Sequence, residues 1–251
     1  MKINDYRDRI DAIDKQMLEL MKKRIDVSHD IARFKRENSM PIVCEQREEE
    51  IIQNRLMNIK EERRLYELFL RHVMDISKLA QKSDLNIYLI GMPYSGKTTM
   101  LDKLKNLINR RCVDTDKVIE NASGESIRFI FNSYGEEEFR KAETSVLKQI
   151  AYEGKMIVAT GGGVLTRQEN IDIMKNSGYL VLCDRPLEML KKSYINDEND
   201  NRPLIKNEED LEILYFDRFM LYRENADIVI NTQNSSAPDE IIEFMKEKKM
   251  I

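Results

Sequence analysis

The chain has 251 residues, of which 41% are hydrophobic and 34% are charged, and its mean hydropathy is −0.55. This length corresponds to one large globular domain or two small ones. The 41 basic residues are outnumbered by 45 acidic residues, which gives a net charge of −4. This balance excludes a protein dedicated to nucleic acid or to an anionic membrane, because there is no excess of cations to replace counterions.

Targeting and redox signals are also missing from the sequence. No apolar run approaches the roughly 18 residues of a membrane span, and the first residues are charged where a signal peptide has an apolar core. The three cysteines are odd in number and far apart, which fits neither a disulfide framework nor a paired zinc site. We therefore expect a cytoplasmic protein that binds neither membrane nor nucleic acid.

The distribution of glycine divides the chain. All nine glycines lie at or after Gly91, and the first 90 residues contain a single proline, Pro41. Such a stretch is typical of helices, because sheets and tight turns commonly need glycine. Residues 1–82 carry a net charge of +2 and the remainder −6. The sequence predicts a helical domain over residues 1–82 and a second domain over residues 85–251, with almost no linker.

Apolar side chains recur at steps of three and four in the first domain, which is the pattern of one long amphipathic helix. The residues of this apolar stripe are Ile3, Tyr6, Ile10, Ile13, Met17, Leu20, Val27, Ile31 and Phe34. The helix must end near Pro41, and shorter helices are predicted around residues 47–59 and 62–82. A first helix of about 50 Å cannot bury its stripe against two shorter helices. We therefore expect a homodimer through the N-terminal helices.

Two cations interrupt the apolar stripe. Arg24 stands four residues after Leu20, where an apolar residue belongs, and Lys35 lies only about 20° from Arg24 around the helix. Arg7 lies about 100° from that line. These positions indicate either an anion-binding pocket inside the bundle or cations that reach its edge and pair with acids such as Glu48. Spacing alone does not separate the two interpretations.

The polar residues of this domain resemble, in order and spacing, the all-helical type II chorismate mutases over residues 1–82. The matching pieces are Arg7-x-x-Ile10-x-x-x-Asp14, Arg24, Lys35, the Arg47-Glu48 pair and Ser77-x-x-x-Gln81. The resemblance implies an all-α, three-helix domain that forms an intertwined dimer and rearranges chorismate to prephenate without a cofactor. The chorismate-binding residues that it implies are Arg7, Arg24, Lys35, Arg47, Glu48, Ser77 and Gln81.

The resemblance also implies what these side chains do. Arginines hold the two carboxylates of chorismate, with Arg24 and Arg47 in the pocket of one chain and the partner subunit's Arg7 entering from the other. Lys35 and Gln81 are the implied catalytic residues. They donate hydrogen bonds to the ether oxygen, where negative charge develops as the C–O bond breaks.

One position departs from the family pattern. Glu48 is implied to accept a hydrogen bond from the ring hydroxyl, with Ser77 nearby. The family usually has an aspartate three residues before the Arg-Glu pair, and this chain has Cys44 there. A thiol is a poor substitute for a carboxylate in binding a hydroxyl, so the strength of the mutase activity stays open.

The second domain begins with a phosphate-binding loop. A buried strand is predicted at residues 87–90, followed by Gly91-Met92-Pro93-Tyr94-Ser95-Gly96-Lys97-Thr98, a full match to G-x-x-x-x-G-K-[ST], and then by a helical pattern. In this motif backbone N–H groups surround phosphates, the lysine reaches the β and γ oxygens and the last hydroxyl binds Mg²⁺. The sequence therefore predicts ATP binding. The predicted ATP-binding residues are Gly91, Ser95, Gly96, Lys97, Thr98 and Thr99.

More polar and glycine-rich pieces follow the loop. Asp114-x-Asp116 closes a short segment, and Gly161-Gly162-Gly163 ends a predicted strand. Three glycines at the carboxyl end of a strand allow bare backbone to contact a ligand, at the edge where parallel sheets bind substrates. The polar stretch 194–207, which contains Arg202, is typical of a mobile lid. Without context, the two aspartates are also compatible with a solvated turn and the polar stretch with a disordered loop.

This order of motifs resembles the shikimate kinases over about residues 85–251. The matching pieces are the phosphate loop, Asp114-x-Asp116, Gly135-Glu136-x-x-Phe139-Arg140-x-x-Glu143, the triple glycine, Arg202-Pro203-Leu204 and Leu221-Tyr222-Arg223-Glu224-x-Ala226. The resemblance implies an α/β P-loop fold with a central parallel sheet, and transfer of the γ-phosphoryl group of ATP to the 3-hydroxyl of shikimate. The implied shikimate-binding residues are Asp116, Arg140, Gly162, Gly163 and Arg223.

The resemblance also implies a role for each of these side chains. Arg140 and Arg223 hold the carboxylate of shikimate. Asp116 binds the ring hydroxyls and accepts the proton, while Lys97 and Arg202 neutralise the charge on the transferred phosphoryl group. The implied metal-binding residues, for the Mg²⁺ that accompanies ATP, are Thr98 and, through a water, Asp114.

Two alternatives to a bifunctional enzyme of the shikimate pathway stay open at this point. The first domain is compatible with a non-catalytic dimerisation or ligand-sensing module attached to a shikimate kinase, and only Cys44 separates that interpretation from an active mutase. The second domain is compatible with a P-loop kinase for another small hydroxylated acid or for a nucleotide. Arg140, Arg223 and the triple glycine argue against that kinase, because a substrate without a carboxylate does not need two arginines.

Overall fold

The computed structural model describes residues 3–38, 40, 45–197 and 203–251, and it leaves out the side chains at positions 45 and 46. The chain separates into two compact units. One comprises Met1–Lys35 and Pro41–Asp84, and the other comprises Arg36–Met40 and Leu85–Ile251. No helix in the described ranges is both long and apolar enough to cross a membrane.

Three helices form the first unit, which confirms the predicted all-α architecture. They are α1 (Ile3–Glu37), α2 (Glu45–Leu56) and α3 (Arg63–Ser83). Ile52 and Leu56 of α2 pack with Met74 of α3 in a small buried core. Apolar side chains at helical spacing in α2 and α3 thus face each other, as amphipathic helices do when they bury their apolar sides.

The apolar stripe of α1 is exposed in the single chain. Its side chains range from 42% exposed at Ile31 to 65% exposed at Ile3 and Leu20. Leu68 and Phe69 of α3 are likewise 46% and 49% exposed. Apolar surface of this extent is rarely left in water unless another molecule covers it. The fold of one chain therefore does not bury the apolar stripe.

A five-stranded parallel sheet forms the centre of the second unit and confirms the predicted α/β fold. Its strands are β1 (Asn86–Ile90), β2 (Arg111–Asp114), β3 (Met156–Ala159), β4 (Gly178–Asp184) and β5 (Ile228–Asn231). Their order in the sheet is β2-β3-β1-β4-β5, and every neighbouring pair is parallel. All five residues of β1 are buried, because the central strand of such a sheet is covered on both faces.

Helices connect successive strands, and a last helix follows β5. They are α4 (Lys97–Lys105), α5 (Thr115–Ser123), α6 (Ile127–Tyr134), α7 (Glu136–Glu153), α8 (Gln168–Ser177), α9 (Leu187–Ile195), α10 (Glu208–Asn225) and α11 (Ala237–Glu247). Polar side chains cap several of them: Asp114 accepts hydrogen bonds from the first turn of α5, Ser126 from that of α6 and Asn207 from that of α10. These caps fix where each helix begins.

The topology brings three loops to one edge of the sheet. Strand β1 leads into the phosphate loop, β2 into the two aspartates and β3 into the triple glycine. These strands are neighbours and parallel, so their carboxyl ends lie side by side. This is the edge at which open α/β sheets bind ligands.

Candidate functional site

The phosphate loop encloses the side chain of Lys97. Lys97 is 8% exposed, and its ammonium group donates hydrogen bonds of 2.8 Å to the carbonyl oxygens of Gly91 and Met92. Gly96, with φ of 88°, immediately precedes α4, so Lys97, Thr98 and Thr99 occupy the first turn of that helix. Ser95 lies buried in the loop, and the predicted ATP-binding residues thus lie together.

Two carboxylates flank the loop. Asp114 accepts hydrogen bonds at Oδ1 from the backbone N–H groups of Asp116 and Lys117, at 3.1 and 3.4 Å. Its other oxygen, Oδ2, accepts a 3.0 Å hydrogen bond from the hydroxyl of Thr98. The helix cap therefore fixes the carboxylate while one of its oxygens faces the phosphate loop.

This pair of donors fits Mg²⁺ that arrives with a nucleotide. The Thr98 hydroxyl and the Asp114 carboxylate lie within hydrogen-bond distance of each other, and Mg²⁺ is commonly held by one or two such oxygens together with phosphate and water. In the described part of the chain, no group of three or more His, Cys, Asp or Glu side chains could hold a metal. The donor set suits a cation that shares its ligands with phosphates.

A second group of polar residues lies beside the triple glycine, and we call it the substrate side. It comprises Arg140, Glu143, Asn170 and Arg218, and Arg140, on α7, is its central cation. It is 5% exposed, and its guanidinium donates at one end to Glu143, at 3.0 Å, and at the other to Glu136, at 2.9 Å. Glu143 is fully buried, and this burial raises the pKa of its carboxyl group in spite of the nearby Arg140 charge. Asn170 of α8 is also buried and donates to Glu143 and, at 3.0 Å, to the carbonyl of Val164.

The triple glycine provides backbone where side chains would not fit. A Cβ atom on Gly161 would lie 2.8 Å from carboxylate oxygens of both Asp116 and Glu143, and one on Gly163 would overlap the guanidinium of Arg140. Glycine therefore lets this backbone approach the charged side chains without displacing them.

Arg218 of α10 completes the substrate side, and sequence reasoning missed it. It donates a 2.8 Å hydrogen bond to the carbonyl oxygen of Gly162, which also accepts from the hydroxyl of Tyr222. Burial raises the pKa of Tyr222 to about 12, so its hydroxyl stays protonated and remains a donor. Arg140 and Arg218 line the same cavity.

The structure places Arg223, which is predicted to hold the substrate carboxylate, away from Arg140 and the triple glycine. Arg223 is not among the residues that line this cavity. Its side chain is 46% exposed, donates to Asp184 at 2.8 Å and lies over the ring of Phe219, 5.0 Å from its centroid. Five residues along a helix rotate a side chain by about 140°, so Arg218 and Arg223 cannot face the same ligand.

Helical periodicity contained the signal for Arg218. Leu211, Arg218 and Tyr222 are the buried residues of α10, and steps of seven and four keep them on one face. An arginine on the buried face of an otherwise apolar pattern indicates a buried anion or carbonyl partner. Motif order points to Arg223 as the substrate-binding arginine, because it directly follows Leu221 and Tyr222. The position on the buried helix face points to Arg218 instead.

There is one cavity beside the substrate side and a second cavity beside the phosphate loop. The first cavity, of about 370 Å³, is lined by Arg140, Glu143, the three glycines and Arg218. The second, of about 270 Å³, is lined by Lys97 and Arg185 among others. Thr98, Asp114, Asp116 and Gly162 line both cavities. A ligand in one cavity therefore borders a ligand in the other, with Asp116 between them.

Two residues of interest, Arg202 and Cys44, lie outside the described residues. Pro203 and Leu204, which directly follow Arg202, line the first cavity.

The three-helix unit contains a polar cluster of its own. Arg24 of α1 donates to the backbone carbonyl of Val73 in α3 at 2.9 Å, and Lys35 of α1 donates to the side-chain oxygen of Gln81 at 3.3 Å. Ser77 and Gln81 are 6% and 8% exposed. Partial burial lowers the pKa of Arg24, and the charge of Arg55 adds to this effect, because two cations repel in a partly desolvated place. Such a place favours an anion.

The other three predicted chorismate-binding residues do not contact Arg24, Lys35 or Gln81 directly in any hydrogen bond that the structure gives for the described residues. Glu48 pairs with Lys78 at 3.0 Å, next to the cluster on α3. Arg47 is 68% exposed and pairs with Glu50 at 3.1 Å. Arg7 belongs to the same helix as Arg24, and 17 residues of helix separate them by about 25 Å. One chain therefore brings Arg24 and Ser77 to the carbonyl of Val73 and Lys35 to Gln81. Glu48 joins the same helix, α3, through Lys78, whereas Arg47 is exposed and Arg7 lies far along α1.

Comparison with known families fits both units. A sequence model of the family described as "Shikimate kinase" matches residues 93–248. The chain belongs to the shikimate kinase family. A second model, described as "Chorismate mutase type II", matches residues 6–82. The chain is therefore a fusion of a chorismate mutase domain with a shikimate kinase, a bifunctional enzyme of the shikimate pathway, as the sequence predicted.

Individual relatives match the kinase part. A shikimate kinase of Clostridium botulinum (strain Okra / Type B1) is 37% identical over 168 residues, which cover 66% of this chain and 99% of the relative. A solved structure of shikimate kinase from Acinetobacter baumannii in complex with shikimate superposes with a TM-score of 0.62 at 34% identity, covering 68% of this chain and 98% of that one. The structure from Aquifex aeolicus superposes with a TM-score of 0.54 at 30% identity, covering 65% and 95%.

Proposed function

We propose that residues 85–251 transfer the γ-phosphoryl group of ATP to the 3-hydroxyl of shikimate, and that residues 1–82 rearrange chorismate to prephenate without a cofactor. We place this enzyme in the cytoplasm, as a homodimer. One observation carries the kinase assignment: the phosphate loop and the buried arginines line adjoining cavities that share Asp116. A hydroxyl bound at Asp116 borders the place of the γ-phosphate.

In this proposal Arg140 and Arg218 bind the carboxylate of shikimate. The guanidinium of Arg140 is already oriented by Glu136 and Glu143, and Arg218 is held on the Gly162 carbonyl. Oriented arginines bind a carboxylate with little further loss of side-chain freedom. Arg218 thus replaces Arg223 in the substrate site, with the backbone of Gly162 and Gly163 beside it.

Phosphoryl transfer then needs positioning and charge neutralisation. The 3-hydroxyl oxygen attacks the γ-phosphorus, the bond to the β-phosphate oxygen breaks, and the hydroxyl proton passes to Asp116. Lys97 neutralises charge on the phosphoryl oxygens, and we assign the same role to Arg202. When bound, Mg²⁺ neutralises phosphate charge, held by the hydroxyl of Thr98 and, through water, by Asp114.

Replacement of the proposed base tests the kinase assignment. We expect Asp116→Asn to lower kcat for shikimate phosphorylation by on the order of 100-fold, because the amide cannot accept the proton. Asp239→Asn, an exposed aspartate in the first turn of α11, is the matched control and should retain wild-type turnover. Wild-type kcat in Asp116→Asn would remove this aspartate from the mechanism.

The mutase assignment rests on the cluster of α1 and α3. Lys35 and Gln81 lie 3.3 Å apart, so two hydrogen-bond donors converge there. Arg24 contacts the same helix, α3, at Val73. In the proposed reaction the ether C–O bond of chorismate breaks as a C–C bond forms, and both donors stabilise charge on the ether oxygen. Arg24 binds a carboxylate.

Incubation with chorismate in the absence of ATP tests this assignment. We expect prephenate to form, and Lys35→Ala to abolish its formation while kinase activity stays at the wild-type level. Lys15→Ala, an exposed lysine on the same helix, is the control and should leave both activities unchanged. If the wild-type protein forms no prephenate while its kinase is active, the helical domain is a non-catalytic module.

The homodimer is proposed because the single chain leaves two requirements unmet. The apolar stripe of α1 is exposed, with Ile10 and Leu20 at 57% and 65%, and a second copy would cover it. Arg7 lies about 25 Å along the helix from Arg24. In an antiparallel pairing of two α1 helices, the partner subunit's Arg7 approaches the cluster around Arg24 and Lys35.

A further inference from the structure

Tyr94 adopts an unusual backbone conformation in the phosphate loop. Its φ is 66°, in the left-handed region that side chains with a Cβ atom rarely enter. A tyrosine there costs conformational energy in the folded loop, so neighbouring contacts must hold it. The loop lacks a glycine at this position.

The contacts that hold Tyr94 come from the end of β4 and from α9. The guanidinium of Arg185 donates a 2.9 Å hydrogen bond to the carbonyl oxygen of Tyr94 and a 3.2 Å bond to the hydroxyl of Ser193. The ring of Tyr94 also packs edge-on against Tyr194, with 6.0 Å between the ring centroids. Arg185, Ser193 and Tyr194 together are called the Tyr94 brace below.

The brace completes a pattern in the carbonyl oxygens of the loop. Lys97 binds those of Gly91 and Met92, Thr232 binds that of Ser95 at 2.8 Å, and Arg185 binds that of Tyr94. A loop that binds phosphate through backbone N–H groups needs its carbonyl oxygens turned away from the anion. Side-chain donors of the chain itself hold these oxygens.

Arg185 also lies close to the nucleotide site. It lines the cavity formed by Lys97 and Thr98, and its Nε atom is buried with no hydrogen-bond partner among the described residues. Two roles are conceivable for an arginine there: direct contact with the nucleotide, or support of the loop. One nitrogen, Nη1, donates both hydrogen bonds, to the carbonyl of Tyr94 and to the hydroxyl of Ser193. The side chain thus ties the strained residue of the loop to α9, and this geometry points to support.

We propose that Arg185 is a positioning residue for ATP, which keeps the phosphate loop preformed by holding Tyr94 in its left-handed conformation. The inference rests on the proposed kinase function. It predicts that the contribution of Arg185 to nucleotide affinity depends on the side chain at position 94. Glycine enters the left-handed region without cost, so a loop with glycine there does not need the brace.

A double-mutant cycle tests this dependence. Affinity for ADP is measured by calorimetry on the full chain, with KM for ATP and for shikimate measured in parallel. We expect Arg185→Ala to weaken ADP binding by about tenfold, the scale of one hydrogen bond from a charged group, and to leave KM for shikimate within about twofold. In the Tyr94→Gly background, the same Arg185→Ala change should alter ADP affinity by less than about twofold.

Controls separate this effect from misfolding. Arg185→Met keeps the aliphatic stem and removes the donors, so it should reproduce the Arg185→Ala loss with a wild-type Tm. Arg111→Ala removes an exposed arginine that pairs with Glu153 at the start of β2, and it should leave ADP affinity unchanged.

Two results would overturn the proposal. An equal loss of ADP affinity from Arg185→Ala with tyrosine or glycine at position 94 would show that Arg185 contacts the nucleotide directly. Unchanged ADP affinity in Arg185→Ala and Arg185→Met would show that the brace has no role. If the wild-type chain binds no ADP and phosphorylates no shikimate, the proposed kinase function itself has failed.

Discussion

The two units of this chain differ in how much of a site one copy provides. In the larger unit, one chain brings the phosphate loop, Asp116, Arg140 and Arg218 around adjoining cavities. In the helical unit, one chain brings Arg24 and Lys35 of α1 against α3, at Val73 and Gln81, and leaves an apolar stripe exposed.

The difference follows from architecture. A parallel sheet gathers loops from distant parts of the sequence at one edge, so a single chain surrounds its ligand. A continuous helix of 35 residues spreads its side chains over about 50 Å, so no single small ligand contacts both ends. We infer that the kinase site is complete in one chain and that the mutase site is shared between two copies.

The sharpest way to break this comparison is to place a charge in the stripe. We expect Ile10→Glu to lower mutase activity by more than about 100-fold at nanomolar protein, because burying a carboxylate against apolar surface prevents dimerisation. Kinase activity should stay within about twofold of wild type. Lys15→Glu, on the opposite side of α1, is the control. Equal loss of both activities would contradict a self-contained kinase site.

The substrate side of the kinase gives the next largest effect. We expect Arg218→Ala to raise KM for shikimate by on the order of 10- to 100-fold, since a charge-assisted hydrogen bond to the carboxylate is lost. Arg223→Ala removes an exposed pair with Asp184 and should change KM by less than about threefold. Steady-state kinetics at saturating ATP measure both. A larger effect from Arg223→Ala would restore the sequence-based assignment.

A smaller effect concerns pH. Burial raises the pKa of Glu143 in the folded protein, so the folded state binds this proton more tightly than the unfolded state. The resulting stability is present at low pH and is lost as the pH rises through the elevated pKa. We expect the free energy of unfolding of wild type, relative to Glu143→Gln, to fall as the pH is raised from below 4.5. Urea unfolding across a pH series measures it, and a constant difference would contradict the shift.

Much of this organisation was predictable from local patterns. The three helices, the parallel sheet and the position of the phosphate loop follow from periodicity and from the G-x-x-x-x-G-K-[ST] match. The choice between Arg218 and Arg223 did not follow from motif order, because the helix face decides which arginine reaches the cavity. The contact of Arg185 with Tyr94 joins residues 91 positions apart, and no local pattern predicts such a contact.

The central claim is that the mutase site is shared and the kinase site is not. It is tested most directly by mixing Arg7→Ala with Lys35→Ala, each inactive alone as a mutase. In a mixed dimer, one of the two sites combines an intact Arg7 with an intact Lys35. The account predicts recovery of roughly a quarter of wild-type mutase activity after random subunit exchange, with kinase activity unchanged throughout. No recovery after demonstrated exchange would contradict it.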